Sequence, residues 1–265
     1  MLTFRDFITG LRRLEIDRSS PVMVHARLEA FGEVHGGAET VLGALMSSFD
    51  TLVMPTFTSK TMIIPELGPL DNAITYGSGK DTNWRAEIFT PHLPCDPQMG
   101  VLAESLRSHP QAQRSSHPIL SLAGMHADEI LASQTLKEPL RPIQVLKENS
   151  GWVLLMGVDQ TANISLHYAE WAAGRKQFVR WALTPTGVAP CPSFPGCSDG
   201  FNAISPHLAE VLRSSEVGSA TILAMPLPEL LDTAIASIKE YPLALLCDRE
   251  DCERCNTIRA AAIEL

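Results

Sequence analysis

The chain has 265 residues, of which 45% are hydrophobic and 19% are charged, and this length suits one large domain or two small ones. Its formal net charge of −9 argues against a duplex nucleic-acid binder and is compatible with a cationic ligand. The first predicted element, at 1–16, is amphipathic with charges inside it, so it is neither a signal peptide nor a membrane span. We therefore expect a cytoplasmic protein with no membrane or nucleic-acid partner.

Apolar runs of strand length then alternate with helical patterns. Residues 22–26 and 51–57 predict buried strands around a helix at 38–49. Residues 59–98 are rich in Gly, Pro, Asn and Asp without a sustained period, which predicts a long functional loop or lid.

The later elements continue this alternation. They are a helix at 99–109, a strand and helix at 121–133, a strand at 152–158, a helix at 162–174 and a strand at 178–183. There follow an irregular stretch at 185–200, helices at 201–213 and 227–239 around a short segment at 219–224, and a last strand at 242–247. The order predicts an α/β sandwich in a single domain at 1–265, with long active-site loops and a C-terminal Cys cluster.

That C-terminal cluster has metal-ligand spacing. Cys247, Cys252 and Cys255 form a C-x4-C-x2-C pattern, in which a tight turn brings the thiolates together. A tetrahedral zinc site needs a fourth ligand, for which Cys197 is the first candidate and Cys191 the second. Such a closed four-thiolate site would be structural, because no position remains open for substrate. The alternative is a set of unrelated free thiols.

Four stretches, in chain order, carry a resemblance to a known family. They read VMVHARLEAFGEVHGGAETVLGAL, TLVMPTFT, RSSHPILSLAG and VLLMGVDQTANISLHYAE. This set resembles the aminoglycoside 3-N-acetyltransferase family, also called the antibiotic N-acetyltransferase family, and the Cys-rich end is similar to its type IV branch. The resemblance implies an α/β fold of its own, acetyl-CoA as cosubstrate, a small-molecule amine as acceptor, and a monomer or homodimer.

The resemblance implies that His167 is the catalytic base. An imidazole is suited to take a proton from an amine, typically for a factor of about 10² to 10⁴ in rate. On a helix Glu170 shares a face with His167, so it can bond the other ring nitrogen and fix the tautomer. Three alternatives stay open: the two form a solvated surface pair, Glu170 contacts substrate, or Asp199 orients the histidine.

The resemblance also implies a CoA-binding set. It comprises His25, Ala26, Arg27, Gly36, Gly37, Thr56, Arg114, Ser115 and His117. Glycines ahead of a helix offer backbone N–H groups to an anion, and Arg114 and Ser115 suit a phosphate or the pantetheine amides. The alternatives are an ordinary capped turn at the glycines, and a loop or core histidine at His117.

Two positions depart from the family pattern. Ala26 stands where a serine is usual, and Ile164 where a threonine is usual, although Ser165 can partly replace the second hydroxyl. These losses leave three functional hypotheses: an acetyltransferase for an aminoglycoside or related amino sugar, one for a nucleotide-linked amino sugar or natural-product amine, and a zinc-stabilised binding protein without catalysis.

Overall fold

The computed structural model describes residues 1–263, and its main element is a seven-stranded mixed β-sheet. In sheet order the strands are β4 (Gln113–Arg114), β5 (Leu122–Met125), β2 (Leu52–Pro55), β1 (Val22–Ala26), β6 (Trp152–Met156), β10 (Ala220–Pro226) and β9 (Arg213–Val217). Strand β1 pairs in parallel with β2 and β6, and the other pairs are antiparallel. The predicted strands at 22–26, 51–57 and 152–158 are therefore confirmed near the sheet centre.

Eight α-helices lie in the part of the chain that the structure describes. They are α1 (Phe4–Arg12), α2 (Gly37–Ser48), α3 (Gly100–Ser108), α4 (Asp128–Ala132), α5 (Arg141–Glu148), α6 (Ser165–Ala172), α7 (Leu227–Glu240) and α8 (Glu253–Ile263). None of these helices combines the length and the apolar character that a membrane crossing requires.

The sheet is covered on both faces by helices. Alternate residues of the central strands point to opposite sides, so Val24 and Leu154 pack with α1, α2 and α3, whereas Met23 and Val153 pack with α4 to α7. Fully burying one such side chain stabilises the fold by about 1.5–3 kcal/mol. This arrangement explains the continuous apolar runs of the sequence and confirms the α/β prediction.

A second sheet corrects the prediction of an irregular stretch at 185–200. It contains three strands in the order β3 (Met62–Ile63), β7 (Phe178–Thr184) and β8 (Gly187–Phe194). Strand β8 is an edge strand, and an edge tolerates Pro190 and Pro192 because only one side of the strand must pair. Because prolines are typical of irregular segments, the sequence did not predict the hairpin that β7 and β8 form.

Two further predictions near the C-terminus are wrong. The segment at 242–247 forms no strand, since Leu245 has a φ of 64°, which is incompatible with an extended chain. The side chains of Leu245 and Leu246 are buried, whereas Leu243 is exposed. The helix predicted at 201–213 is a 3₁₀ helix that ends at Leu208, and Arg213 already belongs to β9. Arg213 is extended because it pairs with Ala224 of β10, so a helix cannot continue to this residue.

Candidate active site

A large cleft opens at the carboxyl ends of the parallel strands β2, β1 and β6. Its volume is about 1090 Å³, and its walls come from the segments after these strands, from residues 94–101 and from residues 194–199 after β8. Ligands of open α/β sheets bind at this end, because the chain leaves neighbouring strands toward opposite faces and a crevice remains. The cleft is therefore the candidate active site.

His167 lies on α6 in the wall of this cleft and is 8% exposed. Its Nδ1–H donates a hydrogen bond of 2.7 Å to Oε2 of Glu170, which is buried. The spacing of three residues on one helix makes the contact possible. Phe201 packs against the ring with centroids 4.7 Å apart, which restrains it further. Since Nδ1 is engaged, Nε2 is the nitrogen left for a ligand.

The start of α6 is fixed by Asn163. Its Oδ1 accepts a hydrogen bond of 3.1 Å from the backbone N–H of Ser165, two residues further on, as in an Asx turn. Asn163 and Ile164 line the cleft, but Ser165 is fully buried and does not. Ser165 therefore does not supply the hydroxyl that Ile164 lacks.

The other oxygen of Glu170 contacts a residue that sequence analysis missed. Oε1 accepts a hydrogen bond of 2.7 Å from Arg175, and both side chains are almost completely buried. A Schellman motif places Arg175 there: Gly174 has a φ of 84°, and the backbone N–H of Arg175 bonds the carbonyl of Glu170 at 2.9 Å. The glycine after the helix in AAGRK was the signal available in the sequence.

Asp199 does not contact His167. It lines the cleft, but its carboxylate pairs with Arg249 at 3.0 Å, and both side chains are about half exposed. The alternative in which Asp199 orients His167 is therefore wrong, and Glu170 makes that contact. The loop at 194–199 carries Asp199 to the far wall, where the segment before α8 meets it.

The end of β1 brings three of the predicted cofactor residues to the cleft. His25, Ala26 and Arg27 all line it. Burial lowers the pKa of His25 to about 3, so its ring is neutral, and its Nε2 has no partner among residues 1–263. The exposed side chain of Arg27 likewise forms no hydrogen bond or ion pair within that range.

Six other predicted cofactor residues lie outside the cleft lining. Gly36 and Gly37 have φ values of 74° and 57° at the start of α2, and the remaining four are bonded within the protein. Those four are Thr56, Arg114, Ser115 and His117.

These four residues form hydrogen bonds within the protein, outside the cleft lining, and so stabilise the segments next to the cleft. Arg114 donates to the carbonyl oxygen of Thr56 at 2.7 Å, and Ser115 donates to Gln134 at 2.6 Å. Nδ1 of His117 accepts from the backbone N–H of Leu120 at 2.9 Å, and burial lowers the pKa of this histidine to about 4. The RSSHP segment therefore shapes the wall in this structure.

The cysteine prediction matches a cluster in space. The four Sγ atoms of the predicted set lie within 4.8 Å of one another, and all four residues are buried. That set is Cys197, Cys247, Cys252 and Cys255. A zinc ion with bonds of about 2.3 Å to four thiolates needs sulfurs about 3.8 Å apart, so the donor set fits. Cys191 packs with a different apolar cluster and is not part of it.

Charges of both signs line the cleft. The carboxylates are Glu29, Asp96, Glu104 and Asp199, and the guanidinium groups are Arg27, Arg249 and Arg254. Asp96 already accepts bonds from Ser59, Glu104 pairs with Arg107 at 2.6 Å, and Asp199 pairs with Arg249. Ser59 is neutral, so Asp96 keeps its charge; with three guanidinium groups beside four carboxylates, the lining is mixed in sign rather than strongly acidic.

Comparisons with known proteins agree with the fold and with the family resemblance. A model of the family described as aminoglycoside 3-N-acetyltransferase matches residues 23–239. Aminoglycoside N(3)-acetyltransferase III from Salmonella sp is 26% identical over 278 residues, covering 91% of this chain and 93% of that protein.

Two solved structures are similar in fold. The apoenzyme of aminoglycoside acetyltransferase AAC(3)-IVa gives a TM-score of 0.80 at 24% identity, covering 98% of both chains. A binary complex of AAC-IIIb with CoASH gives a TM-score of 0.73 at 21% identity, covering 90% of this chain and 96% of that one. Because the family model spans most of the sequence, the chain belongs to the aminoglycoside 3-N-acetyltransferase family, a family of acyltransferases.

Proposed function

We propose that this protein transfers the acetyl group of acetyl-CoA to an amino group of an aminoglycoside, at the 3-N position, or of a related amino sugar. The observation that carries the proposal is the buried hydrogen bond between His167 and Glu170, which leaves Nε2 for a ligand in the cleft. A relative named aminoglycoside N(3)-acetyltransferase III and a fold neighbour solved with CoASH support both substrates.

In this mechanism His167 is the general base. The substrate nitrogen attacks the thioester carbon while Nε2 takes its proton, the C–N bond forms, the C–S bond breaks, and the electron pair leaves with the sulfur of CoA, which is then protonated. The buried carboxylate of Glu170 stabilises the imidazolium that forms. Backbone N–H groups of the cleft wall are the available donors to the oxyanion.

Direct transfer without an acyl-enzyme is supported by the state of the cysteine in the cleft wall. Burial raises the pKa of Cys95 to about 12, so this residue stays a thiol at neutral pH. A thiol is a poor nucleophile compared with a thiolate. Cys197 also lines the cleft, but it belongs to the four-cysteine cluster.

For the cosubstrate we propose that Arg27 contacts a phosphate of CoA and that the pantetheine arm passes Ala26 toward His167. Arg27 is exposed at the cleft, and no side chain or backbone group in residues 1–263 bonds its guanidinium. Thr56, Arg114, Ser115 and His117 then act by shaping the wall rather than by direct contact, and Gly36 and Gly37 form the turn that begins α2. Neutral His25, with its unpartnered Nε2, is a further polar contact for the ligand.

A second acceptor class is favoured by the charges in the cleft. Aminoglycosides are polycations, yet three guanidinium groups share the lining with the four carboxylates, and two of those carboxylates, Glu104 and Asp199, are paired with arginines of this chain. An amine of lower positive charge, such as a nucleotide-linked amino sugar or a natural-product amine, suits such a cleft better.

We further propose that the four-cysteine cluster holds one structural Zn²⁺. The donor set is four buried thiols at a spacing that suits a tetrahedron, and it leaves no open position. The ion would connect the loop that carries Cys197, in the cleft wall, to the segment before α8. It takes no part in the transfer.

One assay tests the proposed function. Free thiol released from acetyl-CoA is measured against a panel of aminoglycosides, nucleotide-linked amino sugars and other amines. We expect amine-dependent release with at least one class, and the class identifies the acceptor. Absence of release with every amine, together with no binding of acetyl-CoA in isothermal titration at high micromolar concentration, would contradict the proposal.

A further inference from the structure

We propose that Arg175 is a positioning residue for transfer: it holds the carboxylate of Glu170 in place and keeps it ionised, and so sets the proton affinity of the His167–Glu170 pair. The inference rests on the proposed function, in which His167 is the base. Arg175 lies behind Glu170 and does not line the cleft, so it acts through the carboxylate.

The geometry divides the two oxygens of Glu170 between two partners. Oε2 accepts from His167 and Oε1 accepts from Arg175, both at 2.7 Å. The guanidinium is itself anchored, because its Nη2 donates to the carbonyl oxygens of Pro242 at 2.8 Å and Ala244 at 2.6 Å. A rotation of the carboxylate would break both of its bonds, so the imidazole is held in one orientation and one tautomer.

The charges lead to a pH effect. A carboxylate that is 1% exposed is stable as an ion only with a partner, and Arg175 supplies a permanent positive charge beside it. That charge opposes the binding of a proton by the pair, whichever of His167 and Glu170 carries it. Without Arg175 the pair would take up a proton at higher pH, and the base would be blocked under conditions where the wild type works.

Other charged and titratable groups reach the same cleft from several elements. They are Arg254, Arg249 and Asp199 from the far wall, Cys95, Asp96 and Glu104 from 94–104, Arg27 and Glu29 after β1, and Cys197 of the four-cysteine cluster. His25 also faces the cleft but is neutral. Each of these lines the cleft, whereas Arg175 makes direct contact with Glu170.

A purely structural role is the competing explanation. Arg175 ties the end of α6 to the segment 242–244, so its loss would lower stability in any case. A structural tie alone would leave the pH dependence of the active molecules unchanged.

The decisive variants are Arg175→Met, which removes the charge, and Arg175→Lys, which keeps it. For Arg175→Met we expect kcat to fall at least tenfold and the midpoint of the acid limb of kcat/KM to rise by about one pH unit, with KM for acetyl-CoA within about threefold. For Arg175→Lys we expect an unchanged midpoint, because the positive charge remains. We expect kcat to be at least threefold lower, because an ammonium group cannot bond Glu170 and the two backbone carbonyls with the planar geometry of a guanidinium.

The matched control is Arg213→Met. Arg213 also donates to two backbone carbonyls, those of Leu14 and Glu15, and it does not line the cleft. We expect this variant to lose stability with no change in kcat or in the midpoint. A wild-type midpoint and kcat in Arg175→Met would overturn the proposal, as would loss of stability alone. If Arg175→Met does not fold, a Lys variant with wild-type kcat overturns the positioning role.

A second readout separates this inference from the proposed function. The ring of His167 in the ligand-free protein is titrated by NMR, with His167→Gln to assign its signal. A higher titration midpoint in Arg175→Met supports the electrostatic role even if no acceptor is found. An unchanged midpoint rejects that role even if transfer by the wild type is established.

Discussion

At the scale of single residues, burial decides which groups can do chemistry in the cleft. Glu170 is buried against two partners, whereas Asp199 is half exposed and paired with Arg249. Both are acids that sequence analysis placed near the histidine. Only the first sits where solvent does not screen its charge, so only the first can stabilise an imidazolium strongly.

Replacing His167 by Ala tests the base assignment. We expect kcat to fall by about 10² to 10⁴, because proton removal from the amine loses its acceptor. Thiol release from acetyl-CoA measures the effect, and circular dichroism with a thermal melt serves as the control for folding. Turnover within about threefold of the wild type in a folded variant would remove His167 from the mechanism.

Replacing Arg27 by Gln tests the phosphate contact. We expect KM for acetyl-CoA to rise about tenfold with little change in kcat, since an exposed ion pair with a phosphate is lost. S-Acetylpantetheine, which lacks the nucleotide and its phosphates, is the matched cosubstrate. Its KM should be the same in variant and wild type, and an equal rise for both cosubstrates would contradict a phosphate contact.

At the scale of elements, the end of α6 connects local sequence to the site. Gly174 takes a left-handed conformation that an L side chain adopts at a cost, and this turn delivers Arg175 to Glu170. Sequence periodicity found the helix itself. It did not find the arginine, because a pair five residues apart lies outside the spacing rules of a continuous helix.

Gly174→Ala tests the importance of that turn. Apart from its chain neighbours, no atom of residues 1–263 lies within 4 Å of the added methyl group, so the expected loss of about 1 kcal/mol in the free energy of unfolding comes from the backbone conformation. Urea denaturation measures it. Gly43→Ala is the matched control: it lies inside α2 with a methyl site 3.7 Å from Phe4, and should be neutral or stabilising. Equal effects for both variants would contradict the explanation.

At the scale of the whole molecule, the cysteine cluster joins parts of the chain that are distant in sequence. Cys197 follows the second sheet, whereas Cys247, Cys252 and Cys255 surround the start of α8. The same segments contribute Asp199, Arg249 and Arg254 to the cleft wall. The proposed metal ion would therefore stabilise one wall of the active site without touching the reacting atoms.

Metal analysis and one pair of variants test this arrangement. We expect about one zinc per chain in protein purified without chelator, and a large drop in Tm for Cys252→Ser with kcat nearly unchanged at a permissive temperature. Cys191→Ser is the control, because Cys191 is buried outside the cluster. It should keep the zinc content. Much less than one zinc per chain in the wild type would refute the proposed metal site.

The sequence by itself determined the central strands, the helix that carries His167 and the three cysteines of the C-x4-C-x2-C pattern, because apolar periodicity and ligand spacing are local properties, whereas the choice of Cys197 over Cys191 as the fourth member was decided by the tertiary structure. Tertiary structure alone decided the rest. The RSSHP segment is bonded within the protein behind the cleft, and the prolines of β8 are accommodated at a sheet edge. Spacing on one helix allowed Glu170 to meet His167, but the burial of that pair, the exclusion of Asp199 by its contact with Arg249, and the anchoring of Arg175 on residues 242–244 depend on tertiary contacts.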